Sequence, residues 1–418
     1  MAIFALSVVV LGFEADIAGF EADESDYVAT SRYFGYLFLD RDVERKEWGS
    51  NHWTRTQPPL TRYIIGAWLT GYGYDLEKMN QPYVSTASSF EVNRMKGRVP
   101  TDEVLARARQ PMVLLGAGVI TLLYALGVLL GGPVGGLSAA ALALTSAFLR
   151  YTLVHAWAEA PIAFFLLLSA LLAAVGAQRV VAGTGRWLGW SLALGLALGL
   201  ASATKLTGLV GIPLVGAVAA VVAALAWRAG GVEVAGRLLA WATLACTVAL
   251  LVMVAVNPYL WRGPASGLVS MIEQRRDEMA FQQEQWPEFA VLNVADRPWL
   301  LAVGSTRVGP WGDLPAISVV IGLGLAALGL WSLRFRLRPA AGDAAALMVL
   351  AWAGGYLLAI FGGLGLSYPR YFLPACLLLL PLMGAGASWL WSSARQLARR
   401  RATMPDGSLS AASSARSR

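Results

Sequence analysis

A cluster of acidic side chains near the N-terminus is the first feature that could carry chemistry. Four acids fall within six positions in the segment Glu21-Ala22-Asp23-Glu24-Ser25-Asp26-Tyr27. A positioned carboxylate can take a proton from a hydroxyl as a general base. Carboxylates also suit hard cations, so the cluster could hold a divalent cation, although its spacing matches no compelling metal motif. Solubility alone is an equally good explanation for such a cluster on a solvated loop.

Three further charged residues lie beside long apolar runs. Glu159 precedes one run, Lys205 separates two others as the only lysine after Lys96, and Arg370 precedes the last. An acid at a membrane span usually faces the bundle interior, and a fixed cation at the membrane surface can bind phosphate. Each also has a structural interpretation, because a lysine can extend to the lipid headgroups and Glu159 can pair with Arg150.

The composition excludes a soluble protein. The 418 residues are 57% hydrophobic and only 14% charged, whereas soluble proteins are about 25% charged. A soluble enzyme, a disordered scaffold and a collagen-like fibre are therefore ruled out. The two cysteines, Cys246 and Cys376, lie in apolar runs and indicate no disulfide framework.

Apolar runs long enough to cross a bilayer recur along the chain. They fall at about 111–131, 133–149, 158–177, 187–204, 207–227, 238–257, 315–333, 344–363 and 371–392. Gly131-Gly132-Pro133 predicts a tight turn between the first two. The run from Met1 to Phe13 is too short to cross alone, and we interpret it as the outer part of a first span. We therefore expect an all-α polytopic membrane protein with about ten transmembrane helices.

The distribution of charge predicts the orientation in the membrane. Short loops near Arg179, Arg237 and Arg336 are basic, which places them in the cytoplasm. Segments 14–110 and 258–314 hold 15 and 7 of the 26 acids and therefore face outside. The net charge of +7 is thus a topology signal and gives no reason to expect a nucleic-acid partner.

The long outer segments and the C-terminus differ from the spans. In the first outer segment, 34–45 and 60–68 are amphipathic and predict helices lying along the membrane surface. The second outer segment contains a helical pattern over 269–285. We expect residues 1–392 to form one membrane domain and residues 393–418 to be a basic, disordered cytoplasmic tail.

Five motifs, in order and on one predicted face, give the chain a family resemblance. They are Asp23-Glu24-Ser25-Asp26-Tyr27, Gln57-Pro58-Pro59-Leu60, Arg150 with Glu159 before Pro161, Lys205-Leu206-Thr207-Gly208-Leu209, and Arg370-Tyr371 with Pro374. This pattern resembles the GT-C class of membrane glycosyltransferases, and most of all the protein O-mannosyltransferases and lipid A aminoarabinose transferases. Gln57 stands where that family usually has histidine, although His52 is nearby.

The resemblance implies transfer of a sugar from a polyprenyl-phosphate donor to an acceptor outside the cytoplasm, with inversion. Asp23 would then be the catalytic base, with Glu24 and Glu159 also catalytic, positioning the base or the acceptor. The expected donor phosphate-binding residues are Lys205, Arg370 and Arg150. The residues expected to position the acceptor or its loop are Tyr27, His52, Gln57 and Pro58. The acceptor could be a protein, a lipid or a glycan, and the resemblance implies no definite cofactor.

Three other functions remain open from the sequence. A membrane transporter would place its charges near the bilayer midplane and often contains repeated, broken helices. A ligase or phosphotransferase acting on lipid-linked saccharides would share both the donor and the membrane face. A structural or lipid-binding subunit without catalysis would tolerate the loss of Asp23.

The first prediction concerns topology in the plasma membrane. Cysteines introduced at Asp23, Glu159, Lys205 and Arg370 should react with an impermeant thiol reagent added outside intact cells. Cysteines at Arg179, Arg237 and Arg336 should react only after permeabilisation, because basic loops remain in the cytoplasm. Labelling of position 336 from outside, without labelling of position 23, would contradict the predicted orientation.

Overall fold

The chain folds into helices that follow the predicted apolar runs. The computed structural model describes residues 1–85, 89–183, 186–334 and 343–402. The α-helices are α1 Ala2–Ile17, α2 Ala22–Ala29, α3 Arg32–Phe34, α4 Glu47–Ser50, α5 His52–Thr56, α6 Leu60–Gly71, α7 Phe90–Met95, α8 Asp102–Leu144, α9 Ala147–Val154, α10 Glu159–Val181, α11 Trp187–Thr204, α12 Gly211–Arg228, α13 Val232–Ala255, α14 Pro264–Gln285, α15 Arg297–Ser305, α16 Pro315–Leu333, α17 Ala344–Gly363 and α18 Leu373–Ala402. A π-helix covers Gly35–Leu39, and short 3₁₀ turns cover Leu76–Lys78, Leu206–Val210, Pro258–Leu260, Pro287–Phe289, Val294–Asp296 and Pro369–Phe372. Over these ranges there is no strand, which confirms the all-α class.

Eight of the described helices are long and apolar enough to cross a membrane. The predicted spans 187–204, 315–333 and 344–363 coincide with α11, α16 and α17. The predicted number of about ten spans is higher than eight, partly because α8 is counted once although two predicted spans begin within it. One further span is added if α1 and the segment from Ala22 to Leu39, which are bent by 104° to each other, are counted together.

Gly132 divides α8 into the two arms of a hairpin. Its backbone has a φ of 70°, a left-handed conformation that glycine adopts without steric cost. A Cβ on Gly127 would lie 2.7 Å from the Gly135 carbonyl oxygen. Residues eight apart in a straight helix would be about 12 Å apart, so the chain must fold back between them. The turn predicted at Gly131-Gly132-Pro133 is therefore confirmed.

The last helix, α18, is the most enclosed of the eight and packs against α8 and α16. A Cβ on Gly384 would lie 2.3 Å from the Gly135 carbonyl oxygen, and one on Gly386 would lie 2.0 Å from that of Leu325. Small residues at these crossings let the helix backbones approach closely, which is how membrane helices gain packing energy. The enclosed α18 is therefore a rigid support for the residues at its N-terminus.

The outer segments follow the sequence patterns only in part. The predicted helices at 60–68 and 269–285 are confirmed by α6 and α14. The helix predicted over 34–45 is wrong beyond Leu39, because the chain turns there and Arg41 has a positive φ of 56°. The expected disorder from residue 393 is wrong as far as Ala402, since α18 continues through it. Arg336, Arg338 and residues 403–418 lie outside the described residues.

The charged residues separate between the two ends of the bundle. Glu159 begins α10 and lies beside Lys205, which follows α11. The other end of α10 leads to Gly183, where an added Cβ would lie 3.8 Å from Nη1 of Arg237. A helix of 23 residues is about 35 Å long, so these groups lie on opposite sides of the hydrocarbon layer.

A buried ion pair fixes α2 against the bundle. Nε and Nη2 of Arg109 in α8 donate to the two carboxylate oxygens of Glu24 at 2.8 and 2.7 Å. Arg109 also donates to the carbonyls of Ala15, Ala18 and Gly19, at the end of α1. The Ala156 amide donates to Glu24 Oε1 at 2.8 Å. This one pair therefore joins α1, α2, α8 and the turn before α10.

The next acid of α2, Asp26, accepts a hydrogen bond of 2.9 Å from the Tyr83 amide. Burial and the neighbouring Asp23 carboxylate raise the pKa of Asp26 to about 8, although the Tyr83 hydrogen bond and Arg62 oppose this. Asp26 is consequently neutral below this pH. It is a partly buried structural acid rather than a solvated loop acid.

We expect Glu24→Gln to destabilise the fold by about 3–5 kcal/mol, because it leaves the buried Arg109 guanidinium without its counter-charge. Denaturant unfolding of the purified protein in detergent measures this. Glu233→Gln is the matched control, since Glu233 pairs with Arg237 but its side chain is 81% exposed. Equal stability of the two variants would contradict the structural role of the Glu24–Arg109 pair.

We expect Asp26→Asn to remove part of the pH dependence of stability. The folded-state pKa of Asp26 is about 8, above the ordinary aspartate value of 3.8, so the folded chain binds more protons than the unfolded chain between these values. Stability from this group falls as the pH rises through that window. Asparagine keeps a carbonyl acceptor for the Tyr83 amide, so the variant should unfold at a higher temperature than the wild type at pH 9. Melting curves at pH 6 and pH 9 test this, and a lower melting temperature for the variant at pH 9 would contradict it.

Candidate functional site

A cavity of about 250 Å³ opens at the end of the bundle where Glu159 and Lys205 meet. Five elements supply its charged lining residues: α2, the first turn of α10, the residue after α11, α14 and the 3₁₀ turn before α18. These residues are Asp23, Glu159, Lys205, Arg275 and Arg370. The cavity is therefore assembled from parts of the chain that are far apart in sequence.

Local backbone features place each of these side chains. Lys205 has extended backbone angles, with φ −155° and ψ 143°, and so ends α11 and turns its side chain toward α10. Pro369 begins the 3₁₀ turn that carries Arg370, as expected from its fixed φ and missing amide hydrogen. Asp23 lies in the first turn of α2, next to the anchored Glu24.

Each of the three cations that line the cavity has a carboxylate partner. Arg370 Nη1 donates to Asp23 Oδ2, and Lys205 Nζ donates to Glu159 Oε1 at 2.8 Å. Arg275 Nη1 donates to Glu278 Oε2 at 2.6 Å, one helical turn along α14. These pairs keep the cavity electrically balanced while its cations remain within reach of a ligand.

Tyr371 lies between the cations. Arg275 Nη2 donates to its hydroxyl at 3.1 Å, and Lys205 Nζ lies 5.8 Å from its ring centroid. On the outer side of α14, Nε2 of His52 lies 3.7 Å from Glu278 Oε1. Burial alone would raise the pKa of Glu278, but hydrogen bonds from His52 and Arg275 hold that pKa below its usual value. Glu278 is therefore ionised at neutral pH and keeps Arg275 directed toward the cavity.

The remaining wall of the cavity is apolar. It is lined by aliphatic side chains from four helices or turns, among them Ile162, Val210, Ile360, Leu364 and Leu373. A cluster of cations beside an aliphatic wall suits a molecule with an anionic head and a hydrocarbon tail. Such a ligand would approach from the membrane.

Tyr27, Gln57 and Pro58 line a further, more polar part of the cavity. The Tyr27 hydroxyl donates to Gln57 Oε1 at 2.9 Å, and Nη2 of the buried Arg62 donates to the same oxygen at 3.2 Å. Gln57, which stands in place of the family's histidine, is thereby held in one orientation. The structure brings these three predicted positioning residues to the cavity, whereas their roles remain predictions.

Three predicted site residues do not reach this cavity. Arg150 Nε donates to Glu14 Oε2 at 2.7 Å, so the alternative in which Arg150 pairs with Glu159 is not found, because Lys205 occupies that position beside Glu159. Glu24 is fully buried, and both its oxygens are engaged by Arg109, which also restricts the position of its neighbour Asp23. His52 lies outside the lining and acts on it only through Glu278.

The four acids near the N-terminus point to four different partners. Glu21 accepts from Tyr151, Asp23 from Arg370, Glu24 from Arg109 and Asp26 from the Tyr83 amide. Among the described residues, no group of three or more histidine, cysteine or acidic side chains is arranged to hold a metal ion. The divalent cation considered for this cluster therefore finds no ligand set there.

The sequence did not distinguish Arg275. It lies in a polar helix beside Arg276, and nothing in the composition separates the two. The one available signal is the spacing of Arg275 and Met279, which places both on one face of α14, where both line the cavity. His155, in contrast, is fully buried between the carbonyls of Tyr151 and Gly19, which its ring nitrogens contact.

The fold is similar to those of solved membrane glycosyltransferases. ArnT from Cupriavidus metallidurans bound to undecaprenyl phosphate superposes with a TM-score of 0.53 at 19% identity, covering 92% of this chain and 59% of that one. The oligosaccharyltransferase AglB from Archaeoglobus fulgidus, in complex with an inhibitory peptide and a dolichol-phosphate, gives 0.52 at 11% identity, covering 96% and 51%. The chain thus spans little more than half the length of these proteins.

No family model and no curated protein sequence matches the chain. The similarity to the solved structures therefore concerns the fold, and it extends over almost all of this chain. The fold predicted from the five motifs is confirmed: this is a helical membrane protein with the GT-C fold.

Proposed function

We propose that the protein is an inverting glycosyltransferase that moves a hexose or pentose from a polyprenyl-phosphate donor to an acceptor hydroxyl. The observation that carries this proposal is the cavity itself. It places two carboxylates, Asp23 and Glu159, beside three cations and an aliphatic wall. A general base, a binding site for an anion and a binding surface for a lipid chain would therefore be next to each other.

The donor fits the polarity of the cavity. Its phosphate would lie among Lys205, Arg275 and Arg370, and its isoprenoid chain would follow the aliphatic wall toward the membrane. The lysine acts as a compact point charge, whereas the arginines can make forked contacts with phosphate oxygens. The undecaprenyl phosphate in the ArnT structure and the dolichol-phosphate in the AglB structure are ligands of this kind.

The reaction then follows from the positions of the charges. Asp23 takes the proton of the acceptor hydroxyl, and the resulting oxygen nucleophile attacks the anomeric carbon of the sugar. The bond from that carbon to the phosphate oxygen breaks, and its electron pair leaves with polyprenyl phosphate. Fixed cations stabilise the negative charge that develops on the leaving group. A single displacement inverts the anomeric carbon.

The ion pairs have a place in this scheme. Before the donor binds, Asp23, Glu159 and Glu278 balance the three cations. A bound phosphate would compete with the carboxylates for these cations. The ion pair between Arg370 and Asp23 would then weaken, and Asp23 would be free to accept a proton. A retaining mechanism would need a second carboxylate at the anomeric carbon, whereas inversion needs only the base, and the resemblance to inverting enzymes favours inversion.

The site would lie on the non-cytoplasmic face of the plasma membrane. The basic loops at the opposite end of the bundle support this orientation through the positive-inside tendency. A membrane-embedded donor with its headgroup outside would then reach the cavity without crossing the bilayer.

Asp23→Asn tests the proposal. Asparagine has a similar size but cannot accept the proton, and loss of a general base typically lowers the rate about 10²–10⁴-fold. Release of polyprenyl phosphate from mannose-, glucose- and arabinose-linked donors, in the presence of membrane extract as the source of acceptor, measures turnover. Binding of polyprenyl phosphate itself should persist.

Asp26→Asn is the matched control, because it makes the same change one helical turn away on a residue that does not line the cavity. It should retain turnover within a few-fold of the wild type. Wild-type turnover by Asp23→Asn would remove Asp23 as the base. Failure of the wild type to bind polyprenyl phosphate would contradict the proposed donor.

A further inference from the structure

A second cavity, of about 520 Å³, lies on the other side of the Asp23–Arg370 pair. These two residues line both cavities, so the ion pair forms part of the wall between them. The second cavity is bounded by the end of α1, by α9 and by the segment between α15 and α16. It is therefore a separate space that shares one reactive carboxylate with the first.

The two cavities differ in chemistry. The described lining of the second contains no leucine, isoleucine, valine or methionine, whereas such residues form much of the first. In their place the second cavity has four carboxylates, namely Glu14, Glu21, Asp23 and Asp313. Such a lining suits a hydrocarbon chain less than the first cavity does, whereas a ligand rich in hydroxyl groups finds many hydrogen-bond acceptors there.

These carboxylates are held in place by neighbouring groups. Arg150 donates to Glu14 at 2.7 Å, Arg307 donates to Asp313 at 3.2 Å, and the Tyr151 hydroxyl donates to Glu21. An ionised carboxylate can accept about four hydrogen bonds, so each retains capacity for a ligand. The carboxylates are thus held in position and can still accept hydrogen bonds from a ligand.

Aromatic rings supply the other half of the lining. Tyr151 and Trp157 meet edge to face with centroids 6.3 Å apart, and the Arg370 guanidinium lies 5.3 Å from the Trp157 ring and 5.7 Å from that of Tyr368. Aromatic faces carry negative partial charge and attract the positive edges of C–H bonds. A sugar ring has an apolar C–H face and a rim of hydroxyl groups, and so matches both kinds of surface.

We infer that the second cavity binds a saccharide and that the acceptor hydroxyl presented to Asp23 belongs to a sugar ring. The assignment of this saccharide as acceptor rests on the proposed glycosyl transfer. With the donor in the first cavity and the saccharide in the second, the attacking oxygen and the leaving phosphate lie on opposite sides of Asp23 and Arg370. Inversion requires that the attacking oxygen and the leaving phosphate lie on opposite sides of the anomeric carbon, and an acceptor and a donor that enter from the two cavities can meet this requirement.

A peptide acceptor fits this lining less well. Proteins commonly bind peptides by adding a strand to a sheet edge or by burying apolar side chains in a groove. The described part of the chain offers neither a strand nor an aliphatic pocket at this cavity. The observations therefore favour a polyhydroxylated ligand.

The test is ligand-observed saturation-transfer NMR on the full-length protein in lipid nanodiscs. The probes are methyl mannoside, methyl glucoside, maltose and cellobiose, with a threonine-containing hexapeptide measured in parallel. At least one saccharide should receive saturation from the wild type. Tyr151→Ala should lower the signal several-fold, and Tyr151→Phe, which keeps the ring and loses the hydrogen bond to Glu21, should lower it less. Glu21→Gln should also weaken it.

Two further variants make the result specific. Glu233→Gln, at the opposite end of the bundle, should leave the saccharide signal unchanged. Lys205→Ala should leave it unchanged while weakening polyprenyl-phosphate binding. Circular dichroism and melting curves verify that each variant is folded.

Three results would overturn the inference: no saccharide signal from the wild type, a signal from the hexapeptide alone, or a saccharide signal that the Tyr151 and Glu21 variants leave intact. Absence of polyprenyl-phosphate binding together with a saccharide signal that depends on Tyr151 would instead refute the proposed transfer and leave the saccharide site standing. The two proposals therefore fail separately.

Discussion

The buried pair between Glu24 and Arg109 is the interaction on which the arrangement of the site depends. Asp23 is the residue before Glu24, so fixing one carboxylate in the protein interior determines where its neighbour can point. Arg109 has no other counter-charge among its hydrogen-bond partners, which are carbonyls at the end of α1. Separating the pair would leave an uncompensated charge in the protein interior, which costs much free energy. The pair therefore keeps α1, α2, α8 and the turn before α10 in one relative position.

The same electrostatic constraint organises the cavity. A membrane protein cannot leave several cations unpaired in a poorly solvated cleft, and here each of the three has a carboxylate within hydrogen-bonding distance. The partners come from different elements in two of these pairs. The pairs therefore also cross-link the outer segments to the spans, and the site is part of what holds its own walls together.

In the proposed scheme, the two cavities would divide the recognition of a lipid and of a hydrophilic ligand. An aliphatic wall on one side and a carboxylate-rich, aromatic wall on the other allow both to approach one carboxylate without sharing a space. The rigid, glycine-packed α18 and its preceding turn carry Arg370 at the boundary. A small displacement of that turn would affect both cavities at once.

The sequence alone determined the spans, their order and the end of the bundle at which the charges gather. Apolar runs of bilayer length fold as helices because unpaired backbone groups cannot be left in hydrocarbon, and this local rule needs no partner. The left-handed turn at Gly132 likewise followed from Gly-Gly-Pro.

Pairing between distant residues was decided by the tertiary structure. Arg150 and Glu159 are close enough in sequence for a pair to be one possible interpretation, but packing of α10 against α11 brings Lys205 to Glu159 and leaves Arg150 to Glu14. Arg275 and Arg276 are indistinguishable in composition, and only the docking of α14 against α5 selects Arg275 for the cavity. Glu24 has the residue type of a catalytic acid, but the fold buries it against Arg109. Charge type and membrane side are properties of a single segment, whereas the partner of a charge depends on which segments pack together, and that is decided only when the whole chain folds.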